Sequence, residues 1–178
     1  MADREQTLLL QALLYEQGHP RRTQHILKVY ALARLLGEEE ALTAEEQSIL
    51  NAAAILHDIP IRYCKLHCQG DAGQENQRRA APKLVEEFLT QAGYLPEATP
   101  RVLELVLRHH DYSCPHGGLL GLLIEADLIV NSYETDPGPK QLEAWERLFQ
   151  SQAGRALFAA YQKEAEVRRA DGEKSAQA

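Results

Sequence analysis

The sequence predicts an all-α protein, a single-domain bundle of about six to eight helices. Apolar residues recur every three or four positions along almost the whole chain, and the alternation of a half-buried strand is nearly absent. The breaks between these runs carry helix punctuation: Pro at first-turn positions, a Thr-x-x-Glu pair, and Gly just past the last periodic residue. The third observation is composition. A length of 178 residues, 44% of them hydrophobic and 25% charged, suits one globular domain large enough to close a core without staples.

Taken in order, a first helix is expected from about Asp3 to Gln17, stopped by Gly18. A second opens at Pro20, a favourable first-turn residue, and ends at Gly37. A third starts where Thr43 and Glu46 form a capping box and runs to Asp58, with Pro60 limiting its continuation. Residues 59–73, rich in Gly, Cys and His, read as a loop. A fourth helix spans Gln74 to Ala92 before Gly93. A fifth is "ATPRVLELVLRHH", with Thr99 as cap and Pro100 in its first turn. "GGLLGLLIEADLIVNSYE" is a sixth, "DPGP" at 136–139 a break, and one or two more helices follow from Lys140 to about Val167. The domain is taken as 1–168, with a motif-bearing core at about 19–135 and a polar, disordered tail at 169–178.

Charge and cysteine use narrow the setting. A net charge of -7 argues against binding a nucleic-acid duplex. Between Ile59 and Lys83, however, five basic residues stand against two acidic ones, either a solvated stretch or a surface that faces phosphate. Cys64, Cys68 and Cys114 are too few for a disulfide scaffold. The first residues lack a signal-peptide pattern, and no apolar run approaches the ~20 residues that span a bilayer. A cytoplasmic protein without membrane association is expected.

The informative residues are polar ones in apolar settings. His25 shares a helical stripe with Val29, Leu32 and Leu36. His57 and Asp58 end the run "AAAIL". Asp127 follows Leu120, Leu123 and Ile124 on the inward side of its helix. Each alone reads as a satisfied core residue. Buried separately the four are costly, and convergence on one divalent cation removes that cost for all of them. Mixed imidazole and carboxylate donors suit Mn, Fe, Co, Ni or Zn, with Mg also allowed.

The order His25, His57-Asp58, Asp127 resembles the HD superfamily of metal-dependent phosphohydrolases. The flanks "HILKVYALARLLG", "AAAILHDI" and "LIEADLIVN" carry the resemblance, which covers roughly residues 19–135. It implies a helical bundle around a metal held by His25, His57, Asp58 and Asp127. It further implies hydrolysis of a phosphate ester or anhydride, in a nucleotide or another small phosphorylated metabolite, by a metal-activated water. Asp58 would then orient the water beside His57. The motif "LRHHDY" is similar to the His-rich end of the fifth helix in many members, which makes His109 and His110 candidates for substrate contact or a second metal. Pro60 stands where many members have Gly, and the helix opening "GQENQRR" lacks the additional His of dinuclear members, so one ion is expected. Arg62, Lys65 and Arg78 are candidates to meet phosphate, with Arg79, Arg21 and Arg22 behind them. Asn131, one turn past Asp127, is a candidate to orient its carboxylate.

Two other readings stand beside this one. Cys64, His67, Cys68, Cys114 and His116 contain enough donors for a tetrahedral zinc site, although C-x3-C and C-x-H are not common finger spacings. The chain also suits a non-catalytic, metal-containing helical module that senses or binds a nucleotide. Oligomeric state has no signature in the sequence.

Overall fold

The computed structural model describes residues 3–135 and 137–176, with the backbone alone at 166 and 168–176. Nine helices and no strand occur among these residues: α1 (Arg4–Tyr15), α2 (Pro20–Glu39), α3 (Ala44–Leu56), α4 (Ile59–His67), α5 (Gln74–Ala92), α6 (Ala98–Arg108), α7 (Gly118–Thr135), α8 (Pro139–Glu146) and α9 (Gln152–Ala176). None is long and apolar enough to cross a membrane.

Helix α3 is the axle of the bundle. From Ile49 to Leu56 every residue is buried, so this part of the helix has no solvent face, and the helix packs against α1, α2, α6 and α7. A helix apolar all round belongs in the middle. Burial of Leu50, Ile55 and Leu56 contributes about 1.5–3 kcal/mol each. Ala52, Ala53 and Ala54 are fully buried and leave the neighbouring helices room to approach. Its start is fixed by the expected box: Glu46 N–H donates to Thr43 Oγ1, and Glu46 Oε2 accepts from Thr43 N–H at 3.0 Å.

Other boundaries also follow local chemistry. Asp3 accepts from Glu5 N–H at the start of α1, and Gly18 lies at φ +92° where the chain turns into α2. Gly93, at φ +81°, closes α5 in the left-handed cap conformation.

Three expectations about boundaries require correction. Residues 59–67 are helix, not loop: Asp58 occupies the N-cap of α4 and Pro60 its first turn, where a missing N–H costs nothing. Pro60 thus begins a helix rather than merely ending one. Gly37 does not stop α2, which continues to Glu39; its bare Cα lets the Gln47 side chain of α3 pack on the helix. Helix α6 starts at Ala98, after a turn at Leu95–Glu97, so Thr99 lies inside it and is not its cap. Nine helices also exceed the six to eight expected, α4 being one that the sequence reading omitted. Asp136 of the expected break lies outside the described residues. Within the stretch 169–178, expected to be disordered, the side chains and residues 177–178 are likewise outside them.

Helix α7 crosses the opposite side of the core and is itself buried from Leu120 to Val130. Its Glu125 carboxylate accepts from Gln150 and Ser151 N–H and from the Ser151 hydroxyl, which ties α7 to the start of α9. Helices α2, α3 and α7 also pack on one another. Their facing sides, with the ends of α3 and α6, enclose the polar cluster described next.

Candidate metal centre

Four side chains from three helices and one helix junction converge. His25 comes from the second turn of α2, His57 from the C-cap of α3, Asp58 from the N-cap of α4 and Asp127 from the middle of α7. His25 Nε2 lies 3.1 Å from His57 Nε2 and 3.1 Å from Asp127 Oδ1. Asp58 Oδ2 lies 3.7 Å from His25 Nε2 and 3.6 Å from His57 Nε2. His57 Nε2 and Asp127 Oδ1 are 3.8 Å apart. Donors about 2.0–2.2 Å from a shared cation stand roughly 3–3.5 Å from one another; the two contacts of His25 at 3.1 Å fall in that range, and the other three, at 3.6–3.8 Å, lie slightly beyond it.

The tautomers strengthen the fit. His57 Nδ1 is 2.8 Å from the Ala54 carbonyl, which can only accept, so Nδ1 carries the hydrogen and a neutral ring turns the Nε2 lone pair to the cluster. His25 Nδ1 faces Glu134 Oε2 at 3.2 Å, with the same consequence. Two nitrogen lone pairs and two carboxylate oxygens then point at one small space. That arrangement repels itself unless a proton or a cation sits within it.

The titration behaviour agrees. Burial pulls His25 down, but the Asp127 carboxylate, with the charges of Asp58 and Glu134, outweighs it and raises its pKa to about 9. Burial dominates at His57 and lowers it. Burial would raise Asp58 and Asp127, but the surrounding imidazoles overcome it and hold both below the usual carboxylate range. Without metal, the proton on His25 takes the place of a cation. His25, His57 and Asp58 are therefore close enough to hold one ion, with Asp127 Oδ1 beside them at 3.1 Å from His25 Nε2.

The chain matches the family model for the HD domain over residues 22–122. It belongs to the HD-domain family. No curated protein and no solved structure matches it. Family members bind divalent metals, and all four donors of this HD domain except Asp127 fall within the matched span.

Around this core the candidates divide. Asn131 Nδ2 donates to Asp127 Oδ1 at 2.9 Å and orients that carboxylate. His109, at the C-cap of α6, packs edge-on against His57 with centroids 5.2 Å apart. Its Nδ1 donates to the Val106 carbonyl at 2.7 Å. Its Nε2 is buried without a hydrogen-bond partner, 3.7 Å from Asp58 Oδ1. His110 lies against the His109 ring, centroids 3.8 Å apart. Asp58, His109 and His110 form a second group close enough to share an ion, and Asp58 belongs to both groups.

Arg78 lines the pocket beside His57, His109 and His110. Arg62 and Lys65 do not. Arg62 donates to the Gln17 carbonyl at 3.0 Å and covers the Tyr15 ring, and Lys65 is exposed on α4. Arg22 is committed to buried Glu16 at 2.7 Å, and Arg79 to Glu75 at 3.0 Å. Among the described residues the cysteines and His67 form no group close enough to share an ion; Cys64 is buried, Cys114 exposed, and His116 bonds the Asp111 carbonyl at 3.0 Å.

Glu134 was missed by the sequence reading. It sits seven residues beyond Asp127 on α7, holds His25 Nδ1, and is itself neutralised by Lys28 Nζ at 2.9 Å. Its spacing from Asp127, two helical turns, was the available signal. Tyr112 was missed as well. It lines the depression beside His110, and burial, with the nearby Asp127 and Asp58 carboxylates, pushes its phenol well above the usual range.

Proposed function

We propose that this HD domain is a metal-dependent phosphohydrolase that cleaves a phosphate ester or anhydride of a small phosphorylated metabolite, a nucleotide among them. The observation that carries the reading is the inward convergence of His25 and His57, each held at its outer Nδ1, with the Asp58 and Asp127 carboxylates. A divalent cation held by His25, His57, Asp58 and Asp127 supplies Lewis acidity and lowers the pKa of water.

The chain's own groups do the rest. Asp58 is 20% exposed at its side chain, against 1% for His57 and 2% for Asp127, so it is the member that meets an incoming substrate. Its Oδ2 faces the two histidines and its Oδ1 is turned toward His109. Oδ1 is thus free to orient water for attack and to take its proton. The water oxygen bonds to phosphorus, the bond from phosphorus to the leaving oxygen breaks, and that oxygen departs with the proton that Asp58 took from the water. His109 Nε2, buried and unpartnered, meets a phosphoryl oxygen. Glu134 and Asn131 hold His25 and Asp127 in orientation throughout.

The test is hydrolysis of a panel of phosphate esters and anhydrides by protein loaded with Mn or Co. Activity that disappears in Asp58→Ala supports the reading. Activity that survives that substitution, or its absence from all substrates with metal bound, counts against it.

A further inference from the structure

A row of packed rings leads out of the donor cluster. His25 packs on His57 with centroids 5.2 Å apart, His57 on His109 at 5.2 Å, His109 on His110 at 3.8 Å and His110 on Tyr112 at 6.0 Å. Tyr112 ends the row at the depression beside His110, where it is 37% exposed. It comes from the connection between α6 and α7, not from one of the helices that supply the four donors.

That connection is tied down at the residue before Tyr112. Asp111 N–H donates to the Arg108 carbonyl at 2.8 Å. The Asp111 carboxylate accepts from the Ser113 hydroxyl at 2.6 Å and from Ser113 N–H at 3.3 Å, and it lies 3.6 Å from Arg108 Nη2. His116 Nε2 lies 3.0 Å from the Asp111 carbonyl and 3.3 Å from Asp111 Oδ2. A turn bonded this way on both sides of one residue fixes the direction of the next side chain.

The direction bears on Asp127, whose carboxylate is the hydrogen-bonding partner of the Tyr112 hydroxyl. Asp127 is 2% exposed, so its oxygens depend on partners inside the protein. Asn131 Nδ2 at 2.9 Å, His25 Nε2 at 3.1 Å and His57 Nε2 at 3.8 Å all address Oδ1. A carboxylate held at one oxygen can still turn about its last side-chain bond, because that torsion has broad minima. A second contact at the other oxygen stops the rotation.

We propose that Tyr112 is a positioning residue of the metal centre: its hydroxyl donates to Asp127 Oδ2 and fixes the plane of the carboxylate, so that Oδ1 stays turned toward His25 and His57. This rests on the metal centre of the hydrolase reading and not on turnover. The α6–α7 connection then shares with α2, α3 and α7 the task of holding the ion.

The test uses full-length protein and Tyr112→Phe, which removes the hydroxyl and keeps the ring on His110. Calorimetric titration with Mn should show affinity weaker by about 10- to 100-fold, the usual loss when a partner of a ligating group is removed. The visible absorption of the Co-loaded protein reports ligand geometry and should change as well, whereas loss of packing alone would leave it as it is. Inorganic phosphate should bind the two proteins equally well once Mn is saturating. Unchanged Mn affinity in Tyr112→Phe would overturn the proposal and leave a hydrolase in place. Normal Mn affinity with weakened phosphate binding would also overturn it, because the hydroxyl would then serve the substrate. Mn affinity that depends on Tyr112, in a protein that turns over no phosphate ester, would leave the assignment standing and overturn the hydrolase reading instead.

Discussion

The Nε2 atoms of His25 and His57 lie 3.1 Å apart, and in both rings the Nδ1 hydrogen is already given to an acceptor outside the cluster. Facing each other in this way, the two Nε2 atoms have nothing to share but the proton that His25 holds in the absence of metal. Each ring is held from behind, one by Glu134 and one by the backbone at Ala54, so neither can turn to relieve the contact. With Asp58 and Asp127 beside them, the pair is prearranged for a positive charge.

Removal of a bound metal should therefore cost stability. At an ion concentration 100 times the dissociation constant, linkage contributes about 2.7 kcal/mol. For a domain of this length each kcal/mol moves Tm by roughly 2–4 °C, so chelation should lower Tm by about 5–11 °C. Scanning calorimetry with and without chelator reads this, and coincident transitions would show that no ion stabilises the fold.

Glu134 should matter through His25 rather than through substrate. Glu134→Gln keeps the size and removes the charge behind Nδ1; a loss of about 10- to 100-fold in metal affinity is expected. Metal titration followed by intrinsic Trp145 fluorescence or by calorimetry measures it. KM for substrate should stay unchanged once metal is saturating, and a KM effect at saturation would place Glu134 in substrate binding.

Two of the close contacts at glycine should respond differently to alanine. At Gly121 a Cβ would run into the His116 backbone carbonyl, which cannot swing away, so Gly121→Ala should destabilise by about 1–3 kcal/mol. At Gly37 the obstacle is the end of the Gln47 side chain, which can move, and the gain in helix propensity of up to about 1 kcal/mol offsets the loss. Urea unfolding of the two variants tests the contrast; equal losses would argue against it.

Tyr94 makes an alkaline prediction. Its hydroxyl is buried without a well-aligned hydrogen bond, and burial, opposed by the nearby Ser48 and aided by Glu5 and Asp3, pushes its pKa up to about 12. The folded value lies above the ordinary 10.0, so the stabilisation of the neutral phenol is present below pH 10 and is lost as pH rises toward 12. Tyr94→Phe should remove this limb of the stability profile and raise stability at neutral pH by about 1 kcal/mol. Denaturant midpoints between pH 7 and pH 11 decide it, and a destabilised Tyr94→Phe at pH 7 would reveal a partner for the hydroxyl.

Much of the fold could be read in the chain because its helix ends are written in local chemistry. Thr43 with Glu46, Pro20 and Gly93 act within one turn of themselves, and the structure uses them as expected. Pro60 was misread because proline both ends a preceding helix and opens a following one. Only the N-cap geometry of Asp58 decides between them. The inward placement of His25 and Asp127 followed from the helical period alone, since each lies on an apolar stripe. The fate of Arg62 did not, because its partners, Gln17 and Tyr15, are about 45 residues distant in sequence and appear only when α1 meets α4. The same holds for Glu134, whose bond to His25 spans 109 residues.

Metal stoichiometry tests the centre most directly. Equilibrium dialysis of the purified protein against Mn or Co, read by elemental analysis, should give about one tightly held ion per chain, and His25→Ala and Asp127→Ala should each abolish it while leaving the helical circular dichroism intact. Absence of bound metal in the native protein, or an ion retained at full occupancy in both variants, would contradict a centre built from His25, His57, Asp58 and Asp127.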